Sequence, residues 1–165
     1  MRALVASDFS PEIVHFYNAS ASPILAGCGV MRYATPVAIP DAANPNAPVT
    51  YIMGIQYATA SIAAHQHNLI GVAVETISPS TYGPVCIGGP CTARIGTSAS
   101  YSAGCPLGID SATPGSFVEI AVASTSSDFS VPLYNVSASV DVAIDDMLNV
   151  FVEPVKVAGG QGFFL

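Results

Sequence analysis

Four cysteines carry most of the chemistry this sequence could support: Cys28, Cys86, Cys91 and Cys105. Four residues separate Cys86 from Cys91, two of them glycines. That spacing suits a disulfide across a hairpin, or half of a metal site. A structural zinc site asks for a second Cys or His pair at similar close spacing, and none follows. Free, buried cysteines acting as small hydrophobes are the favoured reading, since an even count alone does not establish oxidation. His65 and His67 flank Gln66 and would share one face of a strand as metal ligands. No carboxylate or cysteine lies near them in sequence, so a polar loop is the better reading. His15 reads as an interface or solvent residue.

Catalysis by a nucleophile needs a base and an orienting group converging with it. Cys105 or a serine with His65, His67 and an aspartate would supply the types, but no Gly-x-Ser-x-Gly elbow or acylase-like cysteine signature places them together. Gly88-Gly89 is followed by no lysine and opens no helix, so it is not a phosphate cradle. Glycoside hydrolysis needs two carboxylates flanking a cleft. Asp141, Asp145, Asp146 and Glu153 cluster in sequence, yet alternation puts Asp141 and Asp145 on a wet face, as solubility charges. A weak calcium site at Asp145-Asp146 is the remaining option. No catalytic residue, metal ligand or cofactor is assigned, and the chain is expected not to be an enzyme.

The chain that would position such groups has 165 residues, enough for one domain with appendages. A chain of this length buries roughly 70% of its extended surface on folding. Its hydrophobic fraction is 51% and its charged fraction 9%, where ordinary domains carry about 25% charge. The net charge is −7, and the cations are Arg2, Arg32, Arg94 and Lys156. Four scattered cations cannot form a phosphate-neutralising stripe, so no nucleic-acid partner is expected; anionic lipid is disfavoured for the same reason. No Asp, Glu, Lys or Arg occurs between Asp41 and Glu75, but Asn, Pro, Gln and His interrupt that stretch. No apolar run reaches the ~18 residues of a spanning helix, so no membrane is expected either. The N-terminus has an early aspartate, Asp8, and no long apolar segment, which reads as no signal peptide. A surface poor in charge and rich in Ser, Thr, Asn and Ala suits a protein buried against partners.

The pattern from Leu69 to Val122 is short apolar bursts cut by Gly, Pro and Ser, the mark of a small antiparallel barrel or sandwich. Residues 1–29 read as an N-terminal arm. Within it, Ser10-Pro11-Glu12 is a helix start, predicting up to two turns through Tyr17. The barrel is expected over 30–155 and a C-terminal tail over 156–165. Val30–Val37 reads as extended, Ile39–Pro48 as a proline-rich loop, Val49–Tyr57 as a strand and Ile70–Val74 as another. Val85–Ile87, Gly88-Gly89-Pro90 and Cys91–Ile95 predict a hairpin with a glycine turn. The cleanest alternation runs from Tyr134 to Ile144, one face wet and one in the core, followed by Val150–Glu153.

The order of these signals resembles the small β-barrel capsid decoration, or cement, proteins of tailed bacteriophages. The counterparts are Gly71-Val72-Ala73-Val74, the Gly-bearing segment Val85–Ile95, and Ala103-Gly104-Cys105-Pro106-Leu107. Val142-Ala143-Ile144 and Val150-Phe151-Val152 complete the order. The match covers about half the chain. Cys105 stands where that family often has an acidic residue and Asp141 where it often has glycine. The resemblance implies an SH3-like or related barrel, homotrimeric, on the outer surface of a virion head. Its partners would be the major capsid protein and copies of itself, and its place of synthesis the host cytoplasm.

The two chain ends are the expected contact segments. Phe163, Phe164 and Leu165 follow a glycine linker, and burying each in a neighbour would recover roughly 1.5–3 kcal/mol. Phe9, Ile13, Phe16 and Tyr17 are the N-terminal candidates. A carbohydrate- or host-surface-binding β module of a tail or fibre is the second reading, with seven Tyr and no Trp counting against sugar stacking. A small cysteine hydrolase is the third.

Overall fold

The computed structural model describes residues 10–39, 43–44, 46–59, 69–120 and 133–153. Among them there are thirteen strands and no helix. In chain order they are β1 (Glu12–Asn18), β2 (Gly29–Arg32), β3 (Val37–Ile39), β4 (Thr50–Ile52), β5 (Gly54–Tyr57), β6 (Leu69–Ala73) and β7 (Tyr82–Arg94). After them come β8 (Ala99–Tyr101), β9 (Leu107–Ile109), β10 (Phe117–Glu119), β11 (Leu133–Asn135), β12 (Val140–Val142) and β13 (Met147–Val152).

Five of them close a barrel. β1 pairs with β5, β5 with β2, β2 with β6, β6 with β7, and β7 returns to β1. Each antiparallel step around a ring reverses the chain direction, so a closed ring holds an even number of such steps. Five strands therefore require a parallel one. The β1–β5 pair supplies it, with Tyr17 opposite Gly54, and the other four pairs are antiparallel. Closure removes the exposed edges that an open five-stranded sheet would carry. The all-β, mainly antiparallel barrel expected from the sequence is thus the observed architecture.

Strand alternation divides the apolar residues between two cores. Ile24, Val30, Ile55, Ala73, Ile77 and Val85 are fully buried in one cluster, with Phe16, Tyr57, Ile70 and Ile87 packed against it. The intervening residues Met31 and Cys86 point the other way, into a second cluster. A bulge adjusts β6: Val30 pairs with Gly71 but Met31 with Leu69, leaving Ile70 unpaired. That slip lets Leu69 and Val72, three residues apart, both face the second core. This outer core is completed by Phe117, Leu107, Ile109, Leu133, Leu148 and Val150 from β9, β10, β11 and β13.

Three buried side chains end elements in the same way. The Oδ1 of Asn18, Asp110 and Asn135 accepts a hydrogen bond from the backbone N–H two residues on, at 2.9 Å in each case. These Asx turns stop a strand by giving the chain a competing local bond. Asn18 does most: its amide also donates to the Ser22 carbonyl at 3.0 Å and the Ile77 carbonyl at 2.9 Å.

Four expectations are corrected. Residues 12–18 form β1, not a helix, and so the barrel begins inside the segment read as an arm over 1–29. The local cap signal loses to pairing with both β5 and β7. Residues 85–95 are not a hairpin: β7 runs unbroken through Gly88-Gly89-Pro90. The long strand over 134–144 is split into β11 and β12, because the Asn135 turn bonds Ser137 and redirects the chain. Val49–Tyr57 is likewise two strands, β4 paired with β3 and β5 with β2.

Candidate interface at the bend of β7

β7 belongs to both layers, and the candidate site lies where it changes allegiance. Its first half pairs with β1 and β6, and its second half, from Gly89, pairs with β13. Gly89 has φ +86°, and a Cβ there would sit 2.9 Å from the Ser10 carbonyl oxygen, so only glycine fits this bend. The register of β1 slips at the same level, with Glu12 opposite Gly88 and Ile13 opposite Cys86. The two layers part here and leave a cleft of about 320 Å³. Pro11, Ile13 and Val74 line it from the barrel strands and their ends, Pro90, Thr92 and Asn149 from the outer pairing of β7 and β13, and Cys86 and Cys91 line it as well.

Both described ends of the chain converge on this rim. Ser10 touches Gly89, and Val152, at the end of β13, pairs with Gly89. Ile13 and Val74 are 44% and 46% exposed, which makes the barrel side of the cleft an open apolar surface. Farther along the same strands, Tyr17 and Tyr82 meet edge to face with centroids 5.3 Å apart.

The proposed contact residues therefore separate. Ile13 is exposed on the cleft, Tyr17 is half-buried against Tyr82, and Phe16 packs on the barrel core. Phe9, Phe163, Phe164 and Leu165 lie outside the described residues, as do His65, His67 and the tail over 156–165. His15 is exposed on β1.

All four cysteines are free. Burial pushes the Cys28 thiol up to about 11 and is also the main cause at Cys105, pushed up to about 11, where the Glu119 carboxylate adds to it. Cys86 and Cys91 form a pair despite the missing hairpin. Hydrogen bonding with Cys91 lowers the Cys86 thiol and favours its thiolate, while Cys91 holds its own proton more tightly. Neutral Cys86 donates onward to the Gly88 carbonyl at 3.3 Å. The signal missed in the sequence was the glycine pair, which bends a strand as readily as it turns one.

Elsewhere, charges are placed apart. Arg94 donates to the Asp145 carboxylate at 3.0 Å, which commits the residue read as a calcium ligand to an ion pair. Asp141, Asp146 and Glu153 are exposed. Among the described residues, no three His, Cys, Asp or Glu side chains come together as a ligand set, and no helix is long and apolar enough to cross a membrane.

No protein-family model matches the chain, and no curated protein matches it. A solved structure does: the N base of the head fiber gp8.5 in bacteriophage phi29, at 15% identity and a TM-score of 0.50. The likeness covers 90% of this chain and 100% of that one, so the chain shares the fold of a phage head-fiber base.

Proposed function

We propose that this chain is a structural protein of a phage virion, carried on the outer surface of the head. There it binds the major capsid protein and stabilises contacts between capsid subunits as a decoration, or cement, protein. The observation that carries this reading is the shared fold with a head-fiber base over nearly the whole chain. The low charge and the apolar rim of the cleft support it. A homotrimer would multiply weak contacts by raising the effective concentration of each arm once one is bound. The role is mechanical, without catalysis, cofactor, nucleic acid or membrane. The protein would be made in the host cytoplasm and end in the virion.

The same likeness to a head-fiber base supports a second reading: a carbohydrate- or host-surface-binding β module mounted on a head or tail. One experiment separates the two. Particles of the virus that encodes the chain are purified by density gradient, probed for the chain and imaged. Symmetry-placed protrusions on the shell, and earlier shell rupture on heating when the gene is deleted, are the expected results. Particles that lack the chain refute both readings. Particles that carry it at one vertex or on fibers, with unchanged shell stability and impaired adsorption, refute the cement role and favour the second.

A further inference from the structure

We infer that Cys86 and Cys91 are a modification site, a dithiol that closes to a disulfide across the bend of β7 when a peroxide reaches the cleft. Five positions apart on a straight strand, two cysteines would be roughly 16 Å apart and could not meet. Here both line one cleft, and Cys91 packs against the core cluster that holds Cys86, because the strand bends at Gly88-Gly89-Pro90. That cleft opens to solvent beside Pro11 and Pro90. Cys28 lies in the barrel core and Cys105 in the outer core, so neither competes for the pair.

The chemistry is balanced with one peroxide. The Cys86 thiolate attacks one oxygen, the O–O bond breaks, and sulfenic acid forms with loss of hydroxide. Cys91 loses its proton to that hydroxide, giving water, and its sulfur attacks the sulfenic sulfur. The S–S bond forms as the S–O bond breaks, and the departing oxygen leaves as a second water after protonation from solvent. Two thiols are oxidised and one peroxide is reduced. Contact with Cys91 favours the thiolate that the first step needs. Cys86 is fully buried, so a small oxidant entering by the cleft fits better than a bulky disulfide. The two glycines give the backbone freedom to draw the sulfurs together. The bond would fix the angle between the halves of β7, and so between barrel and outer layer. This inference is independent of the function proposed above.

The test uses the intact chain and hydrogen peroxide. Trypsin cuts after Arg32 and Arg94, so Cys28 falls in the peptide 3–32, Cys86 and Cys91 together in 33–94, and Cys105 in 95–156. After mild native oxidation, titratable thiols should fall from four to two. Peptide 33–94 should lose two hydrogens in mass and regain them with dithiothreitol. In Cys91→Ser the Cys86 sulfenic acid should persist and be trapped by dimedone. Four thiols after oxidation, a cross-link between different tryptic peptides, or oxygen added to 33–94 of the wild type without an internal bond would each overturn the inference.

Discussion

Replacing Gly71 by alanine tests the closest seam of the barrel. Gly71 sits on β6 opposite Val30, with β7 on its other side. A Cβ there would lie 2.1 Å from the Cys86 carbonyl oxygen and 3.0 Å from its carbon, both backbone atoms of β7. Backbone cannot swing aside as a side-chain tip does. To restore contact distance, β6 and β7 must separate by roughly 1 Å, which stretches ladder bonds of about 2.9 Å beyond useful length. The neighbouring pairs Val72–Cys86 and Ala73–Val85 carry that ladder. Losing about two hydrogen bonds at ~1 kcal/mol each and overpacking the seam by ~1–3 kcal/mol gives a destabilisation of about 3–5 kcal/mol. For a chain of this length, that lowers the melting temperature by roughly 10 °C. Gly104→Ala is the control: it has φ +70° and nothing within 4 Å, so only the backbone penalty of ~1 kcal/mol applies. Calorimetry on both variants, with urea unfolding alongside, decides the matter. If Gly71→Ala melts no lower than Gly104→Ala, the two strands do not approach as described and the ring is not sealed there.

Asn18→Ala should lower stability by about 2–3 kcal/mol, because it removes a fully buried amide's bonds to the Ile77 and Ser22 carbonyls and its bond from the Ser20 N–H, while those two carbonyls keep Ile24 N–H and Ser20 Oγ as donors; the urea midpoint should fall with an unchanged slope. Alkaline pH should also destabilise the protein. Cys28 is held at about 11 when folded against 9.0 when free, so the folded state keeps a proton that the unfolded state gives up. That contribution is complete below pH 9 and is lost as pH rises towards 11. The denaturation midpoint should decline across that window, less steeply in Cys28→Ala, and a flat profile would refute the assigned burial.

Much of the fold was legible from local chemistry. Alternation at Val49–Tyr57 and Ile70–Val74, with turn residues between bursts, announced strands and little helix. The free cysteines were legible as well, since a small apolar thiol needs no partner. The Asx turns had a readable signal in Asn18-Ala19-Ser20 and Asn135-Val136-Ser137, a side-chain acceptor two residues before a free N–H.

Other features had no local signal at all. Ser10-Pro11-Glu12 is a sound helix start, and residues 12–18 still became a strand, because the ring lacked a member between β5 and β7. Gly88-Gly89-Pro90 is a sound turn, and it still became the bend of one strand, because Pro90 and Gly89 pair with Phe151 and Val152 some sixty residues later. The residues by themselves determined where the chain must extend, where it must bend, and that it is acidic with only four cations. Tertiary structure alone decided which strands close the ring, and that Cys86 and Cys91 line one cleft. Closure depends on pairings between distant segments, and the free energy of a ring with no open edge belongs to no single stretch of sequence.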